Sequence, residues 1–182
     1  MISNMMYMDM TNFKCNKSKD FQDVLEILPD SFSDKRGEIW TSFNKDSFSN
    51  FFINLPDFNH DKFSYSKKNV LRGIHGDDKT WKLVSCIHGK IFQVIVDLRK
   101  DSKTFKKWKS YEISSKNKKS ILIPPNFGNA FLVQSEFAIY HYKLAYEGLY
   151  FDAKDQFSLP WNDSSINIDW PVKNPILSER DK

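Results

Sequence analysis

The chain has 182 residues and a mass of 21.5 kDa, with 40% hydrophobic and 27% charged residues; that fits one domain able to bury a core without disulfides or a structural metal. Its net charge of +4 comes from lysines spread along the chain and densest at 100–109 and 116–119. Neither run is interleaved with aromatics on a helix and no nucleic-acid motif appears, so both read as solvated turn surface on a protein suited to a phosphate-bearing small ligand. Cys15 and Cys86 show neither a disulfide framework nor a zinc spacing. The start MISNMMYMDM has no basic region before an apolar run, and nothing later approaches a membrane span, so a cytoplasmic protein is expected. The 15% aromatic content, with 16 Phe, exceeds what a helical bundle normally uses and favours sheet.

Residues 1–20 are Met-, Asn- and Lys-rich without periodicity and read as a flexible arm that could pair with another subunit; residues 21–182 read as the folded domain. From Asp23, DVLEILPDSF alternates as a strand does. DKRG at Asp34 to Gly37 reads as a turn carrying Arg36, and EIWTSF as a strand after it. Residues 44–55 offer a short helix ended by Pro56. KLVSCIHGKIFQVIVDL reads as a hairpin turning at His88-Gly89-Lys90. On its second strand Phe92, Val94, Val96 and Leu98 share an apolar face, with Ile91, Gln93, Ile95 and Asp97 on the other. WKSYEIS is another strand. SILIPPNFGNAFLV is broken at Pro124 and Pro125 and turned at Gly128-Asn129, and AIYHYKLAY follows. The tail from Trp161 carries Ile168 and Trp170 among turn residues and is expected to pack back over the body. Many short strands with no long amphipathic helix predict an antiparallel sandwich or barrel.

The stretch Val70 to His75, with Trp81 to Val84 after it, gathers Arg72, His75 and Lys82 on strands, where fixed positive charge suits an anionic ligand or intermediate. Only four histidines occur, His60, His75, His88 and His141, with no HxH pair or equivalent, so no metal site is expected. His88, His141, Asp97 and Glu136 read as structural or surface residues.

In this order, DKRG, VLRGIHG, WKLV, IVDLRKDSKTF, ILIPPNFGNAFLV, YHYK and IDWPVKNPILSERD resemble the dTDP-4-dehydrorhamnose 3,5-epimerase family, from about Asp23 to Asp181. The resemblance implies an all-β, cupin-like antiparallel jelly-roll barrel with short peripheral helices. It also implies a homodimer, and epimerisation of a 4-keto sugar on a nucleotide diphosphate with no metal or organic cofactor. By motif, His75 is the general base and Asp169 in IDWP the carboxylate that orients it. A carboxylate on one imidazole nitrogen sets the tautomer and raises basicity at the other. Tyr142 returns a proton on the opposite ring face, Lys82 stabilises the enolate beside C4, and Arg72 and Arg36 hold the diphosphate.

Three positions depart from the family pattern. Asn129 stands where relatives carry a histidine that helps surround the sugar, and an amide cannot act as acid or base near neutral pH. His60 replaces a glutamine and Thr41 a glutamate near the base-recognition region. The replacements at His60 and Thr41 argue for a nucleotide other than dTDP, GDP or CDP, and the combination IHGD with GNA resembles epimerases of capsule or lipopolysaccharide heptose pathways, so inversion at C3, C5 or both of GDP-4-keto-6-deoxy-heptose is favoured, with a dTDP-4-keto-6-deoxy-hexose next. Competing readings are a sugar 3,4-ketoisomerase of the same fold and a non-catalytic sugar-nucleotide-binding barrel.

Overall fold

The computed structural model describes residues 12–21, 23–49, 51 and 57–182, and β structure dominates them. A six-stranded sheet runs in the order β1 (Phe13–Lys17), β2 (Leu25–Pro29), β10 (Ser120–Ile123), β7 (Trp81–His88), β12 (Phe137–Ala145), β5 (Phe58–Lys67). A five-stranded sheet runs β13 (Phe157–Ser158), β6 (Leu71–Gly76), β11 (Phe127–Val133), β8 (Lys90–Asp97), β9 (Trp108–Ser114). A separate hairpin, β3 (Ser31–Asp34) with β4 (Gly37–Trp40), follows β2. All the pairings between these strands are antiparallel. This is the expected all-β, cupin-like architecture. No helix among the described residues is long and apolar enough to cross a membrane.

The two sheets bury their inner faces against each other. Val84, Cys86, Ile121, Ile123 and Tyr140 from one meet Ile91, Ile95, Ile113, Phe127 and Phe131 from the other. Part of each outer face is covered too, which is why several strands read as near-continuous apolar runs. Phe48 of α1 (Lys45–Ser49) joins Leu25, Leu83 and Leu122 outside the larger sheet. The apolar face of β8 and its flank lies outside the smaller sheet, where Phe92, Val94, Val96 and Leu98 pack with Ile166, Ile168 and Trp170 of the tail. The tail therefore does fold back over the body.

Four local readings are corrected. β7 and β8 are not a hairpin, because they lie in different sheets, and the turn at Gly89 carries the chain across the sandwich instead. Both strands supply inward side chains, so facing each other across the core buries more than pairing edge to edge. Gly128 and Asn129 lie inside β11, and the turn falls earlier, at Pro124 to Asn126, where Asn126 takes φ 63°. Residues Phe13–Lys17 of the expected arm form β1, paired with β2, while residues 1–11 lie outside the described residues. The helix expected over 44–55 is confined to Lys45–Ser49, and residues 52–56 with Pro56 also lie outside them.

Candidate active site

Simple alternation along β6 would turn Arg72 and His75 to opposite faces. Against β11, however, Asn129 aligns with His75 and Phe131 with Arg72, so three residue steps on β6 match two on β11. The extra residue is a bulge, and it brings Arg72 and His75 to the inner face together while Leu71 and Ile74 stay fully buried under the tail. Gly73 makes this possible. Its φ is +125°, and a Cβ there would lie 2.3 Å from Ala130 Cβ.

Arg72 and His75 open onto a cavity of about 220 Å³ at one end of the sandwich. Lys82 of β7, Asn129 of β11, Tyr142 of β12 and Ser64 of β5 also line it, and Gln156, Ser178, Arg180 and Asp181 of the tail close one side. Strands from both sheets thus aim side chains into one space.

His75 Nε2 lies 2.9 Å from Asp181 Oδ1. The contact is out of line for a hydrogen bond and sets the carboxylate against the imidazole ring. The same Oδ1 accepts from the Gly73 N–H at 3.1 Å, and Oδ2 accepts from the Ser178 hydroxyl at 2.5 Å. Burial works to raise the Asp181 pKa, but His75, Ser178 and Gly73 outweigh it and hold the carboxyl at about 2. Asp181 is therefore the carboxylate paired with the histidine. Asp169, expected in that role, is exposed and does not line the cavity. It is followed by the buried Trp170, whose packing in the outer cluster leaves the preceding side chain to solvent. Ser178-x-x-Asp181 is a capping-box spacing, visible in sequence as a turn signal, but nothing in it points to β6.

Lys82 is buried, with Nζ 3.4 Å from Asp77 Oδ2 and 3.4 Å from the Thr80 carbonyl. Desolvation lowers its pKa, and the Asp77 charge partly offsets that. Asp77, missed in sequence because it reads as one of two turn aspartates, is pinned by the Thr80 N–H at 2.6 Å and the Lys79 N–H at 3.2 Å. Tyr142 is pushed well up in pKa by burial, with the Arg72 charge acting the other way, so its phenol keeps its proton. Arg72 Nε donates to Ser66 Oγ at 3.0 Å, leaving the rest of the guanidinium fork without a hydrogen-bond partner among the described residues. The tail adds a second guanidinium, Arg180, which donates to Gln156 Oε1 at 3.2 Å.

Arg36, Thr41 and His60 are not among the residues that line this cavity. Arg36 stands on the exposed turn of the β3–β4 hairpin, where it pairs with Asp34 at 2.5 Å. Thr41 follows β4, and the hairpin belongs to neither main sheet. His60 sits beside the cavity in an aromatic cluster, its Nδ1 3.3 Å from the Tyr146 hydroxyl and its ring 4.7 Å from that of Tyr150, which does line the cavity. Among the described residues no group of three His, Cys, Asp or Glu could hold a metal ion.

A carboxylate-paired histidine, a neutral phenol and a buried ammonium around one cavity are the parts of an acid–base site acting beside a carbonyl. The family model described as dTDP-4-dehydrorhamnose 3,5-epimerase matches residues 18–182. The dTDP-4-dehydrorhamnose 3,5-epimerase of Shigella flexneri is 39% identical over 165 residues, covering 89% of this chain and 90% of that protein. The enzyme of the same name from Methanothermobacter thermautotrophicus is 37% identical over 161 residues, with 86% and 85% covered. Among solved structures, the dTDP-6-deoxy-D-glucose-3,5-epimerase of Legionella pneumophila in complex with dTDP-4-keto-L-rhamnose superposes with a TM-score of 0.86 at 32% identity, over 93% of this chain and 90% of that one. The family description, the relatives and the shared fold agree with the chemistry of the cavity, and the chain accordingly belongs to the dTDP-4-dehydrorhamnose 3,5-epimerase family of isomerases.

Proposed function

We propose that this protein inverts C3 and C5 of a dTDP-linked 4-keto-6-deoxy-hexose, with His75 as the base, Asp181 as its orienting carboxylate, and Tyr142 as the acid on the other face. The observation that carries it is the His75–Asp181 contact at 2.9 Å within a cavity shared with Tyr142 and Lys82. His75 takes the proton from the carbon beside the C4 ketone, and the C–H electron pair moves toward C4 to form an enolate. The Lys82 ammonium, which lines the same cavity, stabilises the oxygen's charge in this reading. Tyr142 then donates its proton to the same carbon from the opposite face, which inverts it. Exchange with water removes the proton from His75 and restores the Tyr142 phenol. Arg72 and Arg180 supply the guanidinium groups for the diphosphate, and the Tyr146–Tyr150–His60 cluster gives a base an aromatic surface to stack on.

The GDP-linked heptose favoured from sequence finds less support. The argument for another base rested on His60 and Thr41, neither of which is among the cavity-lining residues, and the heptose rested on IHGD with GNA alone. The relatives are named for dTDP sugars, and the Bacillus anthracis structure, with 34% identity and a TM-score of 0.86, holds TDP and pyrophosphate. Two copies form the working unit in this reading. The β3–β4 hairpin exposes Phe32 and Ile39, and edge strand β5 exposes Phe63 and Tyr65, apolar surface that a second copy would cover.

The test is deuterium uptake from D2O at C3 and C5, followed by NMR on dTDP- and GDP-linked 4-keto sugars. Exchange at both carbons of the dTDP hexose supports the proposal. Migration of the ketone would instead indicate a 3,4-ketoisomerase, and binding without exchange a sugar-nucleotide-binding barrel.

A further inference from the structure

Behind the cavity wall lies a chain of buried, uncharged polar groups for which the acid–base steps have no use. Gln93 of β8 and Tyr140 of β12 are fully buried, and Asn129 of β11 is 6% exposed. Gln93 Nε2 donates to the Val94 carbonyl at 3.0 Å and to Asn129 Oδ1 at 2.7 Å. The Tyr140 hydroxyl donates to Gln93 Oε1 at 2.8 Å and lies 3.3 Å from Asn129 Oδ1.

The direction of these bonds is set at one end. A backbone carbonyl only accepts, so the Val94 oxygen requires the NH2 group of Gln93 on its side. Gln93 Oε1 then takes the tyrosine proton, and the second Nε2 hydrogen must meet an acceptor, which turns Asn129 Oδ1 away from the cavity. Asn129 Nδ2 is left without a hydrogen-bond partner among the described residues, yet it is not a buried orphan, because Asn129 lines the cavity.

We propose that Gln93 is a positioning residue that locks the Asn129 amide with its NH2 group toward the sugar, making this position a non-titrating donor for the C4 oxygen. The inference rests on the proposed epimerase reading and deepens it. A ketone oxygen and the enolate oxygen derived from it accept hydrogen bonds, so a donor-only group suits both. A 4-hydroxyl can donate or accept and would be served by either amide orientation. The Gln93–Asn129 pair therefore selects the 4-keto form and adds a second donor beside Lys82, one whose charge state no pH change alters.

Gln93→Glu reverses the chain. A carboxylate accepts only, so Asn129 must turn its NH2 toward Glu and present Oδ1 to the ketone. The expected result is a loss of roughly 10²-fold in kcat on the 4-keto substrate, the size seen when one oxyanion donor is removed. Affinity for the corresponding 4-hydroxy sugar nucleotide, measured by calorimetry, should change less than about threefold, since a hydroxyl can donate to Oδ1. Gln93→Leu leaves the Tyr140 hydroxyl free to donate to Asn129 Oδ1 in the original orientation, so kcat should fall by less than about tenfold. Asn129→His added to Gln93→Glu should recover most of the lost rate, because an imidazolium donates to both the carboxylate and the sugar. That recovery should fade at high pH as the imidazolium deprotonates.

Thermal unfolding of each variant verifies the fold. If Gln93→Glu does not fold, Asn129→Asp, which also presents an acceptor, should show the same selective loss. Equal losses for keto and hydroxy ligands, no loss at all, or a Gln93→Leu defect as large as that of Gln93→Glu would overturn the inference. Failure of the wild-type protein to exchange C3 or C5 protons would instead refute the epimerase reading, and the relative affinities for keto and hydroxy ligands would still decide the amide orientation.

Discussion

Replacing Asp181 by Asn, with Asp169→Asn as its twin, separates the carboxylate paired with His75 from the one expected by motif. Asp181 is held at about 2, against an ordinary value of 3.8, which corresponds to roughly 2.5 kcal/mol by which its partners' interactions exceed the cost of burial. Gly73 and Ser178 share that interaction with His75, so the part available to an imidazolium formed during proton abstraction is about 1–2 kcal/mol, on the order of tenfold in rate. Asp181→Asn should therefore lower kcat for deuterium exchange about five- to thirtyfold with little change in KM, while Asp169→Asn stays near wild type. The same carboxyl has a sign in stability. Its folded pKa is depressed, so its contribution is complete above about pH 4 and vanishes as pH falls toward about 2. Urea unfolding of Asp181→Asn should show a deficit at pH 6 that closes by about pH 2. A large loss in Asp169→Asn together with an unaffected Asp181→Asn would refute the assignment.

Further outcomes follow from neighbouring groups. Gly73→Ala would place a methyl group 2.3 Å from Ala130 Cβ at φ +125°, so it should cost about 3 kcal/mol or more in urea unfolding, with exchange activity lost along with the bulge. Asp77→Asn removes the charge that offsets the desolvation of Lys82; the high-pH limb of kcat should move to lower pH, because the ammonium then loses its proton sooner. Tyr142→Phe removes only the acid, so proton abstraction by His75 should persist as deuterium uptake with retention, while inverted product drops on the order of 10²-fold by NMR.

Much of this molecule was legible as local pattern. Period-two alternation in β8 put Phe92, Val94, Val96 and Leu98 on one face, and the structure packs that face under the tail. His75, Lys82 and Tyr142 stand on strands that line the cavity, and each is proposed through the resemblance of its motif to a family. What alternation cannot show is a bulge, which depends on the partner strand: only the offset between β6 and β11 reveals that Arg72 and His75, three apart, face the same way. Nor can it say which of two strands flanking a tight turn pair with each other, and so β7 and β8 read as a hairpin although they stand in opposite sheets.

The sequence by itself determined the β class and most of the strands, because these depend on side-chain periodicity within a few residues, while the roles expected of His75, Lys82 and Tyr142 come from resemblance to a family. Tertiary structure alone decided that Asp181 rather than Asp169 meets His75, that Asp77 backs Lys82, and that Gln93 orients Asn129. It also placed Arg36 on a hairpin outside both main sheets. Each of these pairings is decided by how the tail and the two sheets pack, and separations as long as the 106 positions between His75 and Asp181 leave no periodic trace in the chain.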